Sequence, residues 1–451
     1  MSFDKNFVWG AATASYQIEG AAYEDGKGNN IWDDLCRAGR ILNKDSGDIA
    51  CDHYHRYKED IALMKECGLT GYRFSISWSR IMPKGKGEIN PAGVKFYQNL
   101  VDELLKNGIT PFVTLYHWDY PSELLKYGGW LNPESPQWFA DYARAVVEAL
   151  GDKVKHYMTL NEPQVFVGAG YCGGDHAPQI CYPIDMRIKI THNVLKAHGM
   201  AVKVIRELVP DSKIGFAPCS TPIIPFSDEE EEVEAAKECY FSIGPGENDW
   251  VWSLTWWSDP VFLGKYPEGD AFNRLKQYLP DNYEEDLKLI NQPLDFCGQN
   301  IYQGVYVKKG DRWAEALPKK TGYARTAIDW PITPEALRWG AKFIYERYGL
   351  PIYITENGIS CTDTVSLDGK VHDPNRIDFL NRYLLQLKKA TEEGVPVHGY
   401  FQWSLMDNFE WTLGYHERFG LIYVDFETQE RIPKDSFYWY KNVIKENGKN
   451  L

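Results

Sequence analysis

Two glutamates stand at positions suited to opening a glycosidic bond. Glu162 follows the apolar run 156–160 in Asn161-Glu162-Pro163, and Glu356 follows the apolar run 351–355 in Glu356-Asn357-Gly358. Hydrolysis at an anomeric carbon asks for two opposed carboxyls. One is protonated to help the leaving oxygen depart, and the other is ionised to attack. Arg73 near Glu356 would keep it charged, and the Tyr302 hydroxyl would donate to it. Glu162, beside that anion, would hold its proton more tightly. Once Glu356 is esterified its charge is gone, so the Glu162 pKa falls and Glu162 can act as base towards water. The two groups titrate as one unit.

Other polar residues also follow apolar runs. His117 and Trp118 come after 110–116, and Gln299, Asn300 and Tyr302 after 294–298. Gln402 and Trp403 end the run 397–403, with Asp407, Asn408, Glu410 and Trp411 beyond it. Taken singly, Asn357-Gly358 reads as a turn and His117 as a satisfied core histidine. Together, at strand ends, they read as the rim of one site.

The elements that must position them alternate. Strand-like runs lie at 7–11, 71–76, 110–116, 156–160, 213–217, 294–298, 351–355 and 397–403. Helical patterns fill 54–67, 91–107, 136–150, 185–209, 334–348 and 373–393. Strands apolar on both faces and alternating with helices indicate a parallel sheet. Eight such units fit a closed barrel, in which sites form at the C-terminal ends of the strands. The expectation is an α/β fold: a single (β/α)8 TIM barrel with extended βα loops around the site, residues 1–451 forming one catalytic domain. No repeat of fixed period and no Ser/Gly-rich linker divides the chain.

At these residues the chain resembles family 1 of the glycoside hydrolases, the β-glucosidase family. Thr159-Leu160-Asn161-Glu162-Pro163 resembles its acid/base motif and Ile354-Thr355-Glu356-Asn357-Gly358 its nucleophile motif. Phe7-Val8-Trp9-Gly10 through Tyr16-Gln17-Ile18-Glu19-Gly20 resembles its N-terminal signature, and Tyr72-Arg73-Phe74-Ser75-Ile76-Ser77-Trp78-Ser79-Arg80 its second strand. The resemblance runs from Phe7 to about Lys441.

The resemblance implies a retaining β-glycosidase that removes terminal non-reducing β-D-glucosyl units from cellobiose-like or aryl and alkyl β-glucosides. Glu162 is then acid/base and Glu356 nucleophile, with Arg73, Asn300 and Tyr302 orienting Glu356. Gln17, His117, Trp118, Asn161, Glu410 and Trp411 would hold the sugar hydroxyls, with Asn161 on the 2-hydroxyl. Trp403 would stack under the ring and Trp330 would face the aglycone. No metal or organic cofactor is implied. Glu410-Trp411 resembles the branch acting on unphosphorylated sugars, because a carboxylate there would repel a 6-phosphate. The chain departs from the family pattern at Ile301, where many members have Tyr, and at Gln179, where Gly is usual. Cys172 sits in the loop after Glu162, near the expected aglycone entrance.

Bulk properties narrow the partners. A formal net charge of −14 supplies no basic patch for nucleic acid or for anionic membranes. No apolar run approaches the roughly 18 residues of a membrane span. Nine cysteines scattered from Cys36 to Cys361 read as free thiols in a reducing cytoplasm. Met1-Ser2-Phe3-Asp4-Lys5 carries no signal-peptide pattern. The partners are small β-glycosides and glucose, with self-association as a homo-oligomer left open. The acidic run 228–234 reads as a solvated loop and helix start, and Trp250, Trp252, Trp256 and Trp257 read as core in preference to a sugar platform.

Three rivals compete. Val165-Phe166-Val167-Gly168-Ala169-Gly170-Tyr171-Cys172-Gly173 fits an apolar strand followed by a dinucleotide-binding GxGxxG, but Pro178 and Pro183 follow where the helix should run. His53-Tyr54-His55 has the spacing of a metal hydrolase, without partner ligands at later strand ends. A sugar-binding protein without catalysis would keep the Trp-rich pocket and lose a carboxylate, yet both glutamates are present.

Overall fold

The computed structural model describes residues 3–311 and 314–451. Of the N-terminal reading above, Met1 and Ser2 lie outside the described residues. Eight parallel strands close on themselves: β1 (Val8–Ala12), β2 (Gly71–Ser75), β3 (Thr110–Tyr116), β4 (His156–Asn161), β5 (Lys213–Ala217), β6 (Phe296–Ile301), β7 (Ile352–Asn357) and β8 (Val397–Trp403). The ring shuts where β8 pairs with β1 and β7 with β6. Helices return the chain after each strand: α1 (His53–Cys67), α2 (Pro91–Lys106), α3 (Ser135–Leu150), α4 (Ile184–Leu208), α5 (Tyr283–Ile290), α6 (Glu335–Tyr348), α7 (Pro374–Glu392) and α8 (Asp435–Lys445). This is the expected (β/α)8 barrel.

Local sequence explains the punctuation. Asn90 caps α2 by accepting from the Ala92 amide, with Pro91 in the first turn, where its missing N–H costs nothing. Gly68 ends α1 at φ +84, a conformation that favours glycine.

The period of two inside each strand builds the interior in layers. At the N-terminal end of the barrel, Phe112 packs on His156, Phe401 and Tyr353, and Tyr353 packs on Phe296. Glycines make room for these rings: a Cβ on Gly215 would lie 2.1 Å from the Phe296 ring, and one on Gly10 2.4 Å from Phe401. Two residues further along the same strands the inward positions turn polar, as Arg73, Thr114 and Thr355, with Asn300 above Phe296 on β6. An aromatic plug therefore floors a polar layer.

Several expectations need adjustment. Strand β6 runs to Ile301 and includes Gln299 and Asn300, which a search for apolar runs places beyond the strand. Asn161, Glu356 and Asn357 are likewise the last residues of their strands. Their backbones still pair with neighbours; the Asn161 and Glu356 side chains meet Arg73, whereas Asn357 donates to the Ile301 carbonyl and accepts from the Tyr400 hydroxyl. The β5–β6 connection adds helices at Glu230–Phe241 and Leu254–Phe262. Trp250, Trp256 and Trp257 are fully buried, but Trp252 is 51% exposed and is not core. The acidic run does enter a helix, with Asp228 bonded to Arg338.

Residues Pro163–Val167 form a helix that continues as a wider helical turn through Gly168–Gly173, so no strand precedes the GxGxxG. His53 opens α1 and bonds Asp60, while His55 bonds Asp52 and Glu24. Among the described residues no cluster of three or more His, Cys, Asp or Glu side chains is arranged to hold a metal, and no helix is long and apolar enough to cross a membrane. All nine cysteines are unpaired.

Candidate active site

The polar layer opens onto the C-terminal ends of the strands, and both glutamates stand there. Strands β4 and β7 each carry a register shift just before their end, between Met158 and Asn161 and between Ile354 and Asn357. Such irregularities re-aim side chains. Here they let two consecutive residues reach one pocket, Asn161 with Glu162 and Thr355 with Glu356. Glu162 adopts φ +43 immediately before Pro163, a strained backbone for a non-glycine residue. Its amide is held by the Ala217 carbonyl at 2.9 Å.

Arg73 is the hub. Its Nη1 donates to Glu356 Oε1 at 2.6 Å and to the Thr355 carbonyl at 3.1 Å. Its Nη2 donates to Asn161 Oδ1 at 2.6 Å, and its Nε to Thr114 Oγ1 at 3.2 Å. The Tyr302 hydroxyl donates to the other Glu356 oxygen at 2.7 Å. Asn300 reaches further than expected. Its Nδ2 donates to Glu162 Oε1 at 2.8 Å and to Asn161 Oδ1 at 3.0 Å. Thr355 Oγ1 donates to Asn300 Oδ1 at 2.6 Å, and this turns the Asn300 amide N–H groups towards Glu162. Asn300 therefore bonds the acid/base candidate, and it is also among the groups that lower the Glu356 carboxyl.

Glu162, Glu356 and Arg73 are 7%, 3% and 1% exposed. Burial, then the neighbouring Glu356 charge, pushes the Glu162 carboxyl up to about 8, against weaker lowering by Asn300 and Arg73. Burial also raises Glu356, but there Arg73 and the Tyr302 hydroxyl oppose it directly. The proton of the pair therefore rests on Glu162 and the negative charge on Glu356. His117 is held neutral, well below its ordinary value, by burial and by the Arg73 charge.

Around this pair the sugar-binding candidates converge. Asn161 Oδ1 takes two donors, which fixes its amide, and its Nδ2 meets His117 Nε2 at 2.9 Å. A neutral His117 accepting there carries its proton on Nδ1, a buried atom with no protein partner. Trp118 Nε1 donates to the Asn161 carbonyl at 3.0 Å. Gln17 Nε2 donates to the Phe409 carbonyl at 2.8 Å, to Asn408 Oδ1 at 3.0 Å and to Glu410 Oε2 at 3.5 Å, leaving its Oε1 unpartnered. The Trp403 and Trp411 rings lie 24° and 22° from the plane of His117, at 5.7 and 5.9 Å. Trp330 packs on Tyr302 at 5.2 Å, beside Glu356.

Glu410 rises to about 8 through burial and then the charges of Glu356 and Glu417. At neutral pH it therefore holds a proton, which weakens the expected standing repulsion of a phosphate. Sequence reasoning passed over Thr114, Thr355 and Glu417. Gln179 takes φ +60, the left-handed backbone that explains why glycine suits the position, and its side chain accepts from Arg40 at 2.7 Å. Burial pushes the Cys172 thiol up to about 11.

The chain matches Glycosyl hydrolase family 1 over residues 1–449. It is 46% identical over 449 residues to β-glucosidase A of Thermotoga maritima, covering 99% of this chain and 98% of that protein. It is 45% identical over 453 residues to the 1,4-β-D-glucan glucohydrolase of Thermotoga neapolitana, covering 99% of each. Among solved structures, the Thermotoga maritima β-glucosidase in complex with deoxynojirimycin superposes with a TM-score of 0.90 at 45% identity, covering 99% of each chain. A closed eight-stranded barrel, two buried glutamates at its mouth and full-length likeness to β-glucosidases agree: the chain belongs to glycosyl hydrolase family 1 and is a glycoside hydrolase of the retaining β-glucosidase kind.

Proposed function

We propose that the whole chain is one catalytic domain, working in the cytoplasm on imported β-glucosides, with Glu162 as acid/base and Glu356 as nucleophile. The observation that carries this assignment is the unequal solvation of the two carboxyls. Glu356 has the guanidinium and the phenol, whereas Glu162 has a neutral amide.

In the first step a Glu356 oxygen attacks the anomeric carbon. Glu162 gives its proton to the departing aglycone oxygen, and a glycosyl ester forms on Glu356. The ester carries no negative charge, so the Coulombic hold on the Glu162 proton is released. Glu162 then takes a proton from water, whose oxygen attacks the same carbon and frees Glu356. Arg73 and Tyr302 keep the leaving carboxylate stabilised throughout. The free N–H of Asn161 suits the 2-hydroxyl, a contact that strengthens as the ring flattens. Gln17 Oε1 and His117 Nδ1, both unpartnered, suit neighbouring hydroxyls, with Trp118, Glu410 and Trp411 completing the ring of contacts. Trp403 is the platform for the sugar face, and Trp330 the aglycone-side wall. No metal or cofactor takes part.

Initial rates on 4-nitrophenyl β-glucoside, galactoside, fucoside and 6-phosphoglucoside, for wild type and Glu356→Ala, test the reading. Wild-type activity led by the glucoside and lost in the variant is the expected result. Activity confined to the phosphorylated sugar would overturn the substrate assignment, and a fully active Glu356→Ala would overturn the mechanism.

A further inference from the structure

The segment that carries Gln17 is clasped to the end of β3 by a carboxyl that the reaction above does not use. Asp119 follows His117 and Trp118 and is fully buried. Its Oδ2 accepts from the Ser15 hydroxyl at 3.2 Å. Ser75, the last residue of β2, completes the group. Its Oγ accepts from the Ser15 amide at 2.8 Å and donates to Ser15 Oγ at 3.1 Å. The donors therefore run one way, from the Ser15 N–H through both hydroxyls to Asp119. The C-terminal ends of β2 and β3 and the segment after β1 meet in this clasp.

Ser15 opens the helical turn Ser15–Ile18, of which Gln17 is the third residue. So short a helix does not hold its own shape and depends on tertiary contacts. On one side Phe409 N donates to the Gln17 carbonyl at 3.2 Å, and on the other Ser15 reaches Asp119, so the turn is strung between the loop after β8 and the end of β3. The β3 anchor is firm. Trp118 sits at φ +79, Tyr120 N donates to the Trp118 carbonyl at 3.0 Å, and the Trp118 ring donates to the Asn161 carbonyl at 3.0 Å. Such a backbone persists only where its surroundings over-determine it. Burial pushes the Asp119 carboxyl up to about 8, against the Ser77 hydroxyl. The nearby cation Lys27 is committed to Asp33 at 2.8 Å, and Glu19 is paired with Arg80 at 2.9 Å. At neutral pH Asp119 thus presents one acceptor and one O–H, the pattern that an asparagine amide reproduces.

We propose that Asp119 is a positioning residue, acting through Ser15 to fix where Gln17 stands at the sugar site. This rests on the β-glucosidase reading, in which Gln17 meets a sugar hydroxyl. Gln17 Nε2 is spent on the Phe409 carbonyl and Asn408, so Oε1 is the acceptor left for substrate, and its aim follows the backbone of the turn. A misplacement of about 1 Å at such a contact costs up to about a hundredfold in rate.

The test measures kcat/KM on 4-nitrophenyl β-glucoside for Asp119→Ala, Asp119→Asn and Ser15→Ala, each alone and combined with Gln17→Ala. Asp119→Ala alone should lower it about tenfold or more, and less than about twofold further in the Gln17→Ala background, because neighbours that act as a unit are not additive. Asp119→Asn should stay within about threefold of wild type, since the amide keeps the acceptor and a donor. Ser15→Ala removes one hydroxyl and should show the same dependence on Gln17 at about threefold or more, the worth of a neutral hydrogen bond. It carries the test if Asp119→Ala fails to fold. An Asp119→Ala or Ser15→Ala effect of equal factor with and without Gln17 would make the clasp merely structural and overturn the proposal, as would an Asp119→Asn as damaging as Asp119→Ala. A wild type inactive on the glucoside would overturn the β-glucosidase reading beneath it, a failure distinct from these.

Discussion

Two buried ionic clusters lie within one loop of each other, and they are balanced in opposite ways. Behind the pocket, Asp363, Asp373 and Asp407 are matched by Arg376, Lys434 and Arg418. Arg376 reaches Asp363 at 2.7 Å and also Asp373, Lys434 reaches Asp407 at 2.7 Å and also Asp363, and Arg418 reaches Asp407 at 2.6 Å. Ser436 N adds a bond to Asp373 at 2.8 Å. Burial works to raise the Asp363 carboxyl, but Arg376 and Lys434 overturn it and hold it below its ordinary value. In the pocket, Arg73 is bonded to Glu356 and only weakly offsets the burial of Glu162, while Glu410 has no cation beside it, and Glu162 and Glu410 rise to about 8. Similar burial therefore gives opposite protonation, and the count of compensating cations decides which. The matched cluster ties the loops after β7 and β8 to the start of α8. The unmatched one keeps exchangeable protons near neutral pH.

The largest effect expected on the unmatched side is Glu162→Ala. Turnover of substrates with poor leaving groups should fall on the order of 10²–10⁴-fold, the usual worth of a general acid. Formation of the glycosyl ester from activated aryl glucosides should be spared and its hydrolysis slowed. Pre-steady-state kinetics separate the two steps, and equal slowing of the first step for good and poor leaving groups would contradict the role.

On the matched side, Arg376→Met removes a cation from between two buried acids, a change that costs about 3–5 kcal/mol. The urea midpoint reads this loss, and kcat of the protein that remains folded should stay near wild type. A variant as stable as wild type would mean the cluster is not the clamp its geometry describes.

Glu162 must carry its proton in the free enzyme. kcat/KM should therefore decline as pH rises through about 8, approaching tenfold per unit beyond it. A profile flat to pH 10 would place the working proton elsewhere.

Stability should respond to pH with opposite signs at the two clusters. The Glu162 carboxyl sits above its ordinary 4.5 in the folded chain, so its contribution is full below that value and is lost as pH rises through about 8. Asp363 sits below its ordinary 3.8, so its contribution is present above that value and is lost as pH falls through the lowered one. Denaturant midpoints against pH should thus flatten on the alkaline side in Glu162→Gln and on the acid side in Asp363→Asn. The smallest effect, none, is expected of exhaustive chelation on the glucosidase rate. A loss restored by added metal would reopen the metal reading.

Much of the barrel was legible because buried parallel strands are written as short apolar runs, and all eight were visible. Their ends were not. Gln299, Asn300 and Glu356 look like loop in an apolar count, yet their backbones pair with neighbouring strands. Helix α8 was missed although Phe437, Tyr440 and Val443 recur at helical spacing on its buried face. Trp252 shows the reverse failure, because composition around it reads as core and only packing reveals it as exposed.

By itself the sequence determined the inventory: which acids, amides and rings could meet at strand ends, and that one arginine stood among them. It could do so because strand direction in a parallel barrel sends every C-terminal strand end to the same face. Only the tertiary structure decided the assignments within that inventory. Thr355 turns the Asn300 amide to Glu162, and Arg73 ties Glu356 to Asn161. Burial then converts those neighbours into protonation states. These outcomes depend on distances of a few ångströms between residues as much as 283 positions apart in the chain, and on how much water is excluded between them, neither of which residue types or spacing encode.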